Sequence, residues 1–181
     1  PFSELLANAL AQGITEPDPR EDLSGRDVQR KLLILARMAG FELSLEDIDC
    51  QSLVPDSLRD VSLQEFLERT EELDDLFLLR LNQAKEKSSG IRYVAKFVKE
   101  NGKLRAKVSL EELSYQHAFT QLTPCDNVFQ IKSHWYQQNP LIIRGPGAGR
   151  DVTAGGIHAD LVKVCQRLAH RQQQVKIKGL N

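Results

Sequence analysis

The sequence predicts an α+β domain, with a mostly antiparallel or mixed sheet and helices packed on one of its faces. Apolar residues recur at helical spacing in three long segments, near residues 2–12, 24–40 and 62–87. Two alternating runs flank Asn101-Gly102, which is the strongest short signal for a β-hairpin. The predicted order is helix, helix, strand, helix, hairpin, two strands, helix, and antiparallel pairing with helices on one face accommodates it. No repeat or linker interrupts the chain, so residues 1–181 are predicted to form one domain.

The first third of the chain is predicted to contain two helices joined by an acidic loop. The first helix covers residues 2–12, and Gly13 ends it. Prolines exclude a helix from residues 14–23. Ser24 is predicted to cap the second helix with help from Asp27, and Gly40 ends that helix. Its expected core face comprises Val28, Leu32, Leu35, Ala36 and Ala39.

The middle of the chain is predicted to alternate between strands and helices. Residues 48–54 form a strand, and Ser62 with Glu65 forms a capping box. The helical region that follows reaches about Lys87, with a break near Thr70. The hairpin strands cover residues 91–99 and 103–110, joined by a type I′ turn.

The last third is predicted to contain two more strands and a helix. The strands cover residues 128–133 and 141–144. A glycine-rich turn, Gly145 to Gly149, leads into a helix from about Asp151 to His170. The basic tail, residues 170–178, is interpreted as a solvated end.

Composition excludes several classes of function. Hydrophobic residues make up 41% of the 181 residues and charged residues 27%, which is typical of a soluble globular protein. The net charge of −1 gives no positive field for nucleic acid or a membrane, so neither is an expected partner. Cys50, Cys125 and Cys165 are widely spaced and odd in number, which favours free thiols and a cytoplasmic location, with no metal site. No apolar run spans a membrane and no signal peptide opens the chain.

One group of residues predicts a binding site for an amino acid. Glu16 and Asp22 lie in or beside a proline-stiffened acidic loop, and Asp27 and Lys31 follow four residues apart on one helix face. At about 100° per residue, both are predicted to lie beside the apolar stripe and to be partly desolvated. Carboxylates with one lysine could bind an α-ammonium group while donating a proton nearby. Each residue alone has an ordinary alternative: a helix cap, a surface ion pair or a solvated loop acid.

These residues also resemble the signature of a known enzyme family. The string Thr15-Glu16-Pro17-Asp18-Pro19-Arg20, then Asp22-Leu23-Ser24-Gly25, Asp27-Val28 and Arg30-Lys31 closely resembles that of the homoserine dehydrogenases. The resemblance implies hydride transfer between NADP or NAD and L-homoserine or L-aspartate 4-semialdehyde. It further implies that Glu16, Asp22 and Asp27 bind the substrate and that Lys31 donates the proton. The family more often has Tyr where this chain has Ile14.

The glycine-rich turn gives a second, weaker indication. Glycines between a strand and a helix can let backbone N–H groups approach an anion, but a tight turn explains them equally well. The spacing is not Gly-x-Gly-x-x-Gly and no further strand follows, which excludes a Rossmann fold here. Residues 139–161 resemble the end of homoserine dehydrogenases, which implies that Gly149 and, less directly, Gly147 contact the cofactor. The amino-acid sequence of residues 144–155 looks most similar to that of bifunctional aspartokinase–homoserine dehydrogenases of the methionine-branch type.

The resemblance also implies what the chain lacks. A dinucleotide-binding domain and an aspartokinase domain are missing, and the chain starts at Pro1 without Met, so we expect a segment of a longer protein that is inactive alone. The family forms dimers through this domain, so a homodimer or higher homo-oligomer is expected. Two alternatives remain at this point: a structural or oligomerisation module without its own site, and an unrelated anion-binding or regulatory domain that uses the glycine turn.

Overall fold

A computed structural model describes residues 1–123, 126–147 and 149–178 of the chain, with side chains up to residue 171. Contacts between Cα atoms divide the chain into two compact units, Pro1–Thr120 and Gln121–Asn181. Helices and mixed or antiparallel strands occur together, which confirms the predicted α+β class. In the portion of the chain described, no helix combines the length and apolar character needed to cross a membrane.

The described part of the first unit contains six α-helices, of which α3 and α6 are the longest. The α-helices are α1 (Phe2–Ala11), α2 (Arg20–Leu23), α3 (Arg26–Met38), α4 (Asp56–Arg59), α5 (Leu63–Glu68) and α6 (Asp74–Glu86). A 3₁₀ turn, Thr70–Leu73, separates α5 from α6, which confirms the predicted break near Thr70. Ser62 caps α5 by accepting a 3.1 Å hydrogen bond from the Glu65 N–H, also as predicted.

The sheet of the first unit has three strands: β1 (Ile48–Cys50), β2 (Ser89–Glu100) and β3 (Lys103–Ser114). Their order is β1-β3-β2, with β1 parallel and β2 antiparallel to β3. The hairpin turns through Asn101 and Gly102, with φ values of 51° and 78°. Two consecutive positive φ values are those of a type I′ turn, so the predicted turn is confirmed.

Helices cover one face of this sheet because apolar side chains alternate along its strands. Leu32, Leu33 and Ile48 pack with Ala106 and Val108 beneath α3. A second cluster comprises Leu6, Leu23, Val54, Leu58, Phe66, Leu73 and Phe77, with Ile91 and Leu110 of the sheet packed against it. The two clusters position α2 and α3, which carry the predicted site, against the sheet.

Several predicted boundaries in this unit are wrong, including those of the hairpin strands, which extend over Ser89–Glu100 and Lys103–Ser114. Arg20–Leu23 form a helical turn within the predicted loop, because Pro19 supplies a backbone angle that suits a helix start (φ −68°). The strand at Ile48 ends at Cys50 instead of Val54. Helix α3 starts at Arg26 and not at Ser24, since Gly25 adopts a left-handed conformation (φ 75°) and is the N-cap residue.

The second unit contains a two-stranded antiparallel sheet and one long helix. The strands are β4 (Asp126–Ile131) and β5 (Leu141–Pro146), and the helix is α7 (Arg150–Lys178). Gly145 and Pro146 therefore belong to a strand and not to the predicted turn, and α7 extends beyond the predicted end at His170. Cys125 lies outside the described residues.

Candidate functional site

The acidic loop between α1 and α2 is closed by a carboxylate of α2. The Glu16 N–H donates a 2.9 Å hydrogen bond to Oδ2 of Asp22, so the carboxylate at the end of α2 holds the backbone of the loop. Pro19, which starts α2, is fully buried, while Glu16 and Asp22 are exposed. The carboxylates of the loop therefore face solvent while the backbone behind them is anchored.

Arg20 ties this loop to the rest of the first unit. Its Nε and Nη2 atoms donate to both carboxylate oxygens of Asp18, at 3.0 and 2.7 Å. Its Nη1 atom donates to the carbonyl of Val61 at 2.6 Å, and its guanidinium lies over the buried ring of Phe66, 5.4 Å from the centroid. The side-chain hydrogen bonds from Arg20 lower the pKa of Asp18, although burial opposes the shift. A bidentate arginine fixes both the position and the plane of the carboxylate.

Helix α3 presents the other two predicted residues side by side. Nζ of Lys31 lies 2.7 Å from Oδ2 of Asp27, a pair four residues apart on one helix face. The side chains are 67% and 62% exposed, so the prediction that they are partly desolvated at the core margin is wrong. Leu33 is buried and Leu35 is 39% exposed, which turns the core face roughly 60° away from the predicted one. Asp27 and Lys31 consequently lie on the side of α3 opposite the sheet.

Apolar side chains continue the same exposed face of α3. Ile34, Leu35 and Met38 are 57%, 39% and 81% exposed, and they follow Lys31 at helical spacing. An apolar patch next to a charged pair is unfavourable in water and is typical of a surface that another part of a protein covers.

The structure brings the predicted site residues together as two pairs. Asp22 contacts the Glu16 backbone, and Asp27 contacts Lys31. Within the described part of the chain, no hydrogen bond or ion pair joins one pair to the other. The covalent connection is short, because only Ser24 and Gly25 separate α2 from α3. The bend between the two helices therefore determines where Lys31 lies relative to the acidic loop.

The two glycines implied to contact a cofactor differ in their surroundings. At Gly147, a side chain would collide with the amide of Asn127, so close packing within the unit explains this glycine. Gly149 has a φ of 124°, and among the described residues a Cβ atom placed on it would meet only a methyl group of Val152, at 4.0 Å. Its carbonyl accepts the Thr153 N–H at the start of α7. A helix N-terminus opening from a glycine fits an anionic group such as a dinucleotide phosphate, so Gly149 fits the cofactor better than Gly147 does. Ala148 lies outside the described residues.

The acidic side chains do not form a metal centre in the structure described. No group of three or more His, Cys, Asp or Glu residues there is arranged to hold an ion. Cys50 and Cys165 are free thiols, the first half-buried and the second exposed.

Three further residues lie in or near the site, and the sequence analysis assigned no role to them. Arg20 and Thr15 lay inside the quoted motif, but a motif does not show which side chains turn inward. The hydroxyl of Thr15 is buried and makes no hydrogen bond in the described part of the chain, which is costly for a polar atom. Tyr93 lies 62 residues or more from the motif in sequence, and only the fold brings it to Gly25.

Comparison with known proteins decides the family. The sequence profile of the homoserine dehydrogenase family matches residues 1–162. The chain belongs to this family. The acidic loop, helix α3 with Lys31 and the glycine-rich turn therefore all lie within the part of the chain that the family profile matches.

Several relatives that the chain matches are longer proteins. It is 50% identical to the bifunctional aspartokinase/homoserine dehydrogenase 2 of Escherichia coli, over 93% of this chain and 20% of that protein. It is 44% identical to the homoserine dehydrogenase of Paracoccidioides brasiliensis, over 92% of this chain and 45% of that protein. A crystal structure of Staphylococcus aureus homoserine dehydrogenase matches 92% of this chain and 37% of its own with a TM-score of 0.68, and at 23% identity this supports the fold alone. The chain thus spans less than half the length of these relatives.

Proposed function

We propose that the chain is the substrate-binding part of a homoserine dehydrogenase that transfers hydride reversibly between L-homoserine and L-aspartate 4-semialdehyde. The observation that carries the proposal is the paired arrangement of Glu16 with Asp22 and of Asp27 with Lys31 at the two sides of one short bend, within a chain of this family. Such an enzyme acts in amino-acid biosynthesis, and we extend the proposal to the methionine branch because of the resemblance that residues 144–155 carry.

Charge complementarity assigns a role to each side chain. Glu16, Asp22 and Asp27 supply three carboxylates for the α-ammonium group of the substrate, and Asp22 uses only Oδ2 to hold the loop. Lys31 supplies the single ammonium group among the four residues. As hydride reaches the aldehyde carbon, negative charge develops on the oxygen, and the Lys31 ammonium stabilises and protonates it. In the reverse direction the Lys31 amine accepts the hydroxyl proton.

The nicotinamide cofactor, NADP or NAD, supplies or accepts the hydride when bound. Gly149 at the start of α7 would contact it through the backbone, where no side chain intervenes. Most of the cofactor site is proposed to come from a part of the full-length protein that this chain does not include. We propose that the same part covers Ile34, Leu35 and Met38 beside Lys31. Water would then be excluded from the substrate pocket only in the complete enzyme.

Oligomerisation is a second proposed role, favoured by one face of the second sheet. Phe129 pairs with Ile143 and Ile131 with Leu141, which places four apolar side chains on one face. They are 38–51% exposed. A second copy of the protein would cover this face in a homodimer. Ile143→Lys should lower the molar mass measured by sedimentation, whereas an unchanged mass would argue against this interface.

The direct experiment compares two substrates with the full-length protein. L-Homoserine should reduce NAD or NADP, whereas N-acetyl-L-homoserine, which lacks the ammonium group, should not. Glu16→Gln should raise the KM for L-homoserine, and Glu4→Gln, an exposed acid in α1, is the matched control. Equal turnover of both substrates would overturn the carboxylate site. The 181-residue chain alone should show no turnover, and measurable activity would contradict its proposed dependence on the missing part.

A further inference from the structure

The bend between α2 and α3 is built around a buried glycine. Gly25 has a φ of 75°, which L side chains rarely adopt, and its N–H donates to the Asp22 carbonyl at 3.2 Å. On the other side of the bend, the Gly25 carbonyl accepts the Gln29 N–H at 2.9 Å and so begins α3. One residue therefore connects the backbone of Asp22 to the first turn of the helix that carries Lys31.

The phenol of Tyr93 lies against this glycine. A Cβ atom on Gly25 would collide with the Tyr93 hydroxyl oxygen and would lie 3.0 Å from the sulphur of Cys50. The Cys50 thiol in turn contacts the Ser24 carbonyl at 3.6 Å and the Tyr93 hydroxyl at 3.9 Å. Tyr93 of β2 and Cys50 of β1 thus both pack against the bend, and the absence of a side chain at Gly25 makes this close approach possible.

The Tyr93 hydroxyl is itself held by the sheet. It donates a 2.6 Å hydrogen bond to the carbonyl of Gln51, the residue after β1. Gln51 is fixed by β3, because its N–H donates to the Val108 carbonyl at 2.8 Å and its side-chain oxygen accepts the Leu110 N–H at 3.0 Å. Burial, together with the neighbouring Cys50, raises the pKa of Tyr93, so the phenol stays protonated and remains a donor. The position of the hydroxyl is therefore determined by three strands.

We propose that the Tyr93 hydroxyl is a positioning group that seats the Gly25 bend on the sheet and thereby places Lys31 relative to the acidic loop. The inference rests on the proposed function, since it concerns the position of the proton donor. Tyr93 has no direct contact with any of the four site residues in the part of the chain described and acts only through the bend. The loop that carries Glu16 and Asp22 is anchored separately, by the contact of Arg20 with Asp18. Loss of the Tyr93 hydroxyl should therefore displace the helix that carries Lys31 more than it displaces this loop.

A purely structural role for Tyr93 makes a different prediction. The ring packs with the apolar cluster beneath α3, and Tyr93→Phe retains that ring while removing the hydroxyl. If only packing matters, the variant keeps wild-type kinetics. If the hydroxyl positions Lys31, turnover falls while substrate affinity is largely retained, because the acids of the loop still bind the ammonium group.

The test uses the full-length protein with Tyr93→Phe, and Tyr115→Phe as the control. Tyr115 is 51% exposed, and its hydroxyl makes no hydrogen bond in the described part of the chain. Well below the Tm of each variant, Tyr93→Phe should lower kcat about three- to tenfold and change the KM for L-homoserine by less than about twofold. Amide hydrogen exchange should accelerate in peptides covering residues 22–31 and not elsewhere in unit Pro1–Thr120.

The outcomes separate this inference from the proposed function. Wild-type kcat and unchanged exchange in Tyr93→Phe would overturn the inference while the enzyme still oxidises L-homoserine. If the full-length wild-type protein does not oxidise L-homoserine, both the inference and the proposed function are overturned. If Tyr93→Phe does not fold, Cys50→Ala removes the sulphur between Ser24 and Tyr93, and the same fall in kcat is expected. Unchanged kcat in that variant would contradict the inference.

Discussion

The backbone N–H of Glu16 donates a 2.9 Å hydrogen bond to the carboxylate of Asp22, six residues along the chain. An acid assigned to substrate binding thus also shapes the loop that carries its neighbour. The charge of Asp22 and its role as a hydrogen-bond acceptor can be separated by substitution.

Asp22→Ala should raise the KM for L-homoserine about tenfold in the full-length protein, because a charged acceptor and the loop closure are both lost. Asp22→Asn keeps a carbonyl oxygen for the Glu16 N–H and should have a smaller effect. Glu21→Ala, an exposed acid next in sequence, is the control. Equal KM values for Asp22→Ala and Glu21→Ala would argue against any role of Asp22 in binding.

Arg20→Lys should loosen the acidic loop although the charge is retained. A lysine cannot make the bidentate contact with Asp18 or stack in the same way on Phe66. We expect the KM for L-homoserine to rise about three- to tenfold with a smaller change in kcat, measured by steady-state kinetics. Arg59→Lys is the control, because Arg59 forms an exposed ion pair with Asp56. A KM as low as that of the control would show that the anchor does not matter for binding.

The contact between Ser3 and Asp74 should make the stability of the chain depend on pH. The N–H and the hydroxyl of Ser3 each donate a 2.7 Å hydrogen bond to the Asp74 carboxylate, and these bonds lower the pKa of Asp74 below 3.8. A lowered folded-state pKa stabilises the fold above the unfolded-state value and loses that effect as the pH falls through the folded-state value. In urea unfolding, Asp74→Asn should therefore lower the midpoint at neutral pH, and the difference from wild type should shrink below pH 3.8.

Asp75→Asn, at the exposed neighbouring position, is the control for this measurement and should leave the midpoint near the wild-type value at every pH. A difference between Asp74→Asn and wild type that stays constant as the pH falls would contradict the assignment.

Elements that depend on local signals were predictable from the sequence. Asn101-Gly102 encodes its own turn, and Ser62 with Glu65 encodes a helix start, because both signals act within four residues. The predicted helix start at Ser24 was wrong, also for a local reason. Gly25 takes the N-cap position, while the Ser24 hydroxyl donates to the Glu21 carbonyl at the end of α2 and accepts the Arg26 N–H at 3.3 Å.

The sequence indicated which residues form the candidate site, but not which side chains surround them or how exposed they are. Periodicity placed Asp27 and Lys31 on one face, which their ion pair confirms, but the choice between Leu33 and Leu35 as core residue depends on the sheet beneath α3. Arg20 and Tyr93 each also donate to backbone carbonyls at least 39 residues away, those of Arg59, Val61 and Gln51. No pattern within the motif carries that information.

The lysine on α3 is proposed to be the proton donor of a homoserine dehydrogenase, and the turnover of the Lys31→Ala variant is the most direct measurement of that role. In the full-length protein, with Lys87→Ala as the control for a similarly exposed paired lysine, L-homoserine oxidation is followed through formation of the reduced nicotinamide. We expect Lys31→Ala to lose about 100-fold or more in kcat with an unchanged Tm, and Lys87→Ala to keep wild-type turnover. Near-normal turnover by a folded Lys31→Ala variant would contradict the account.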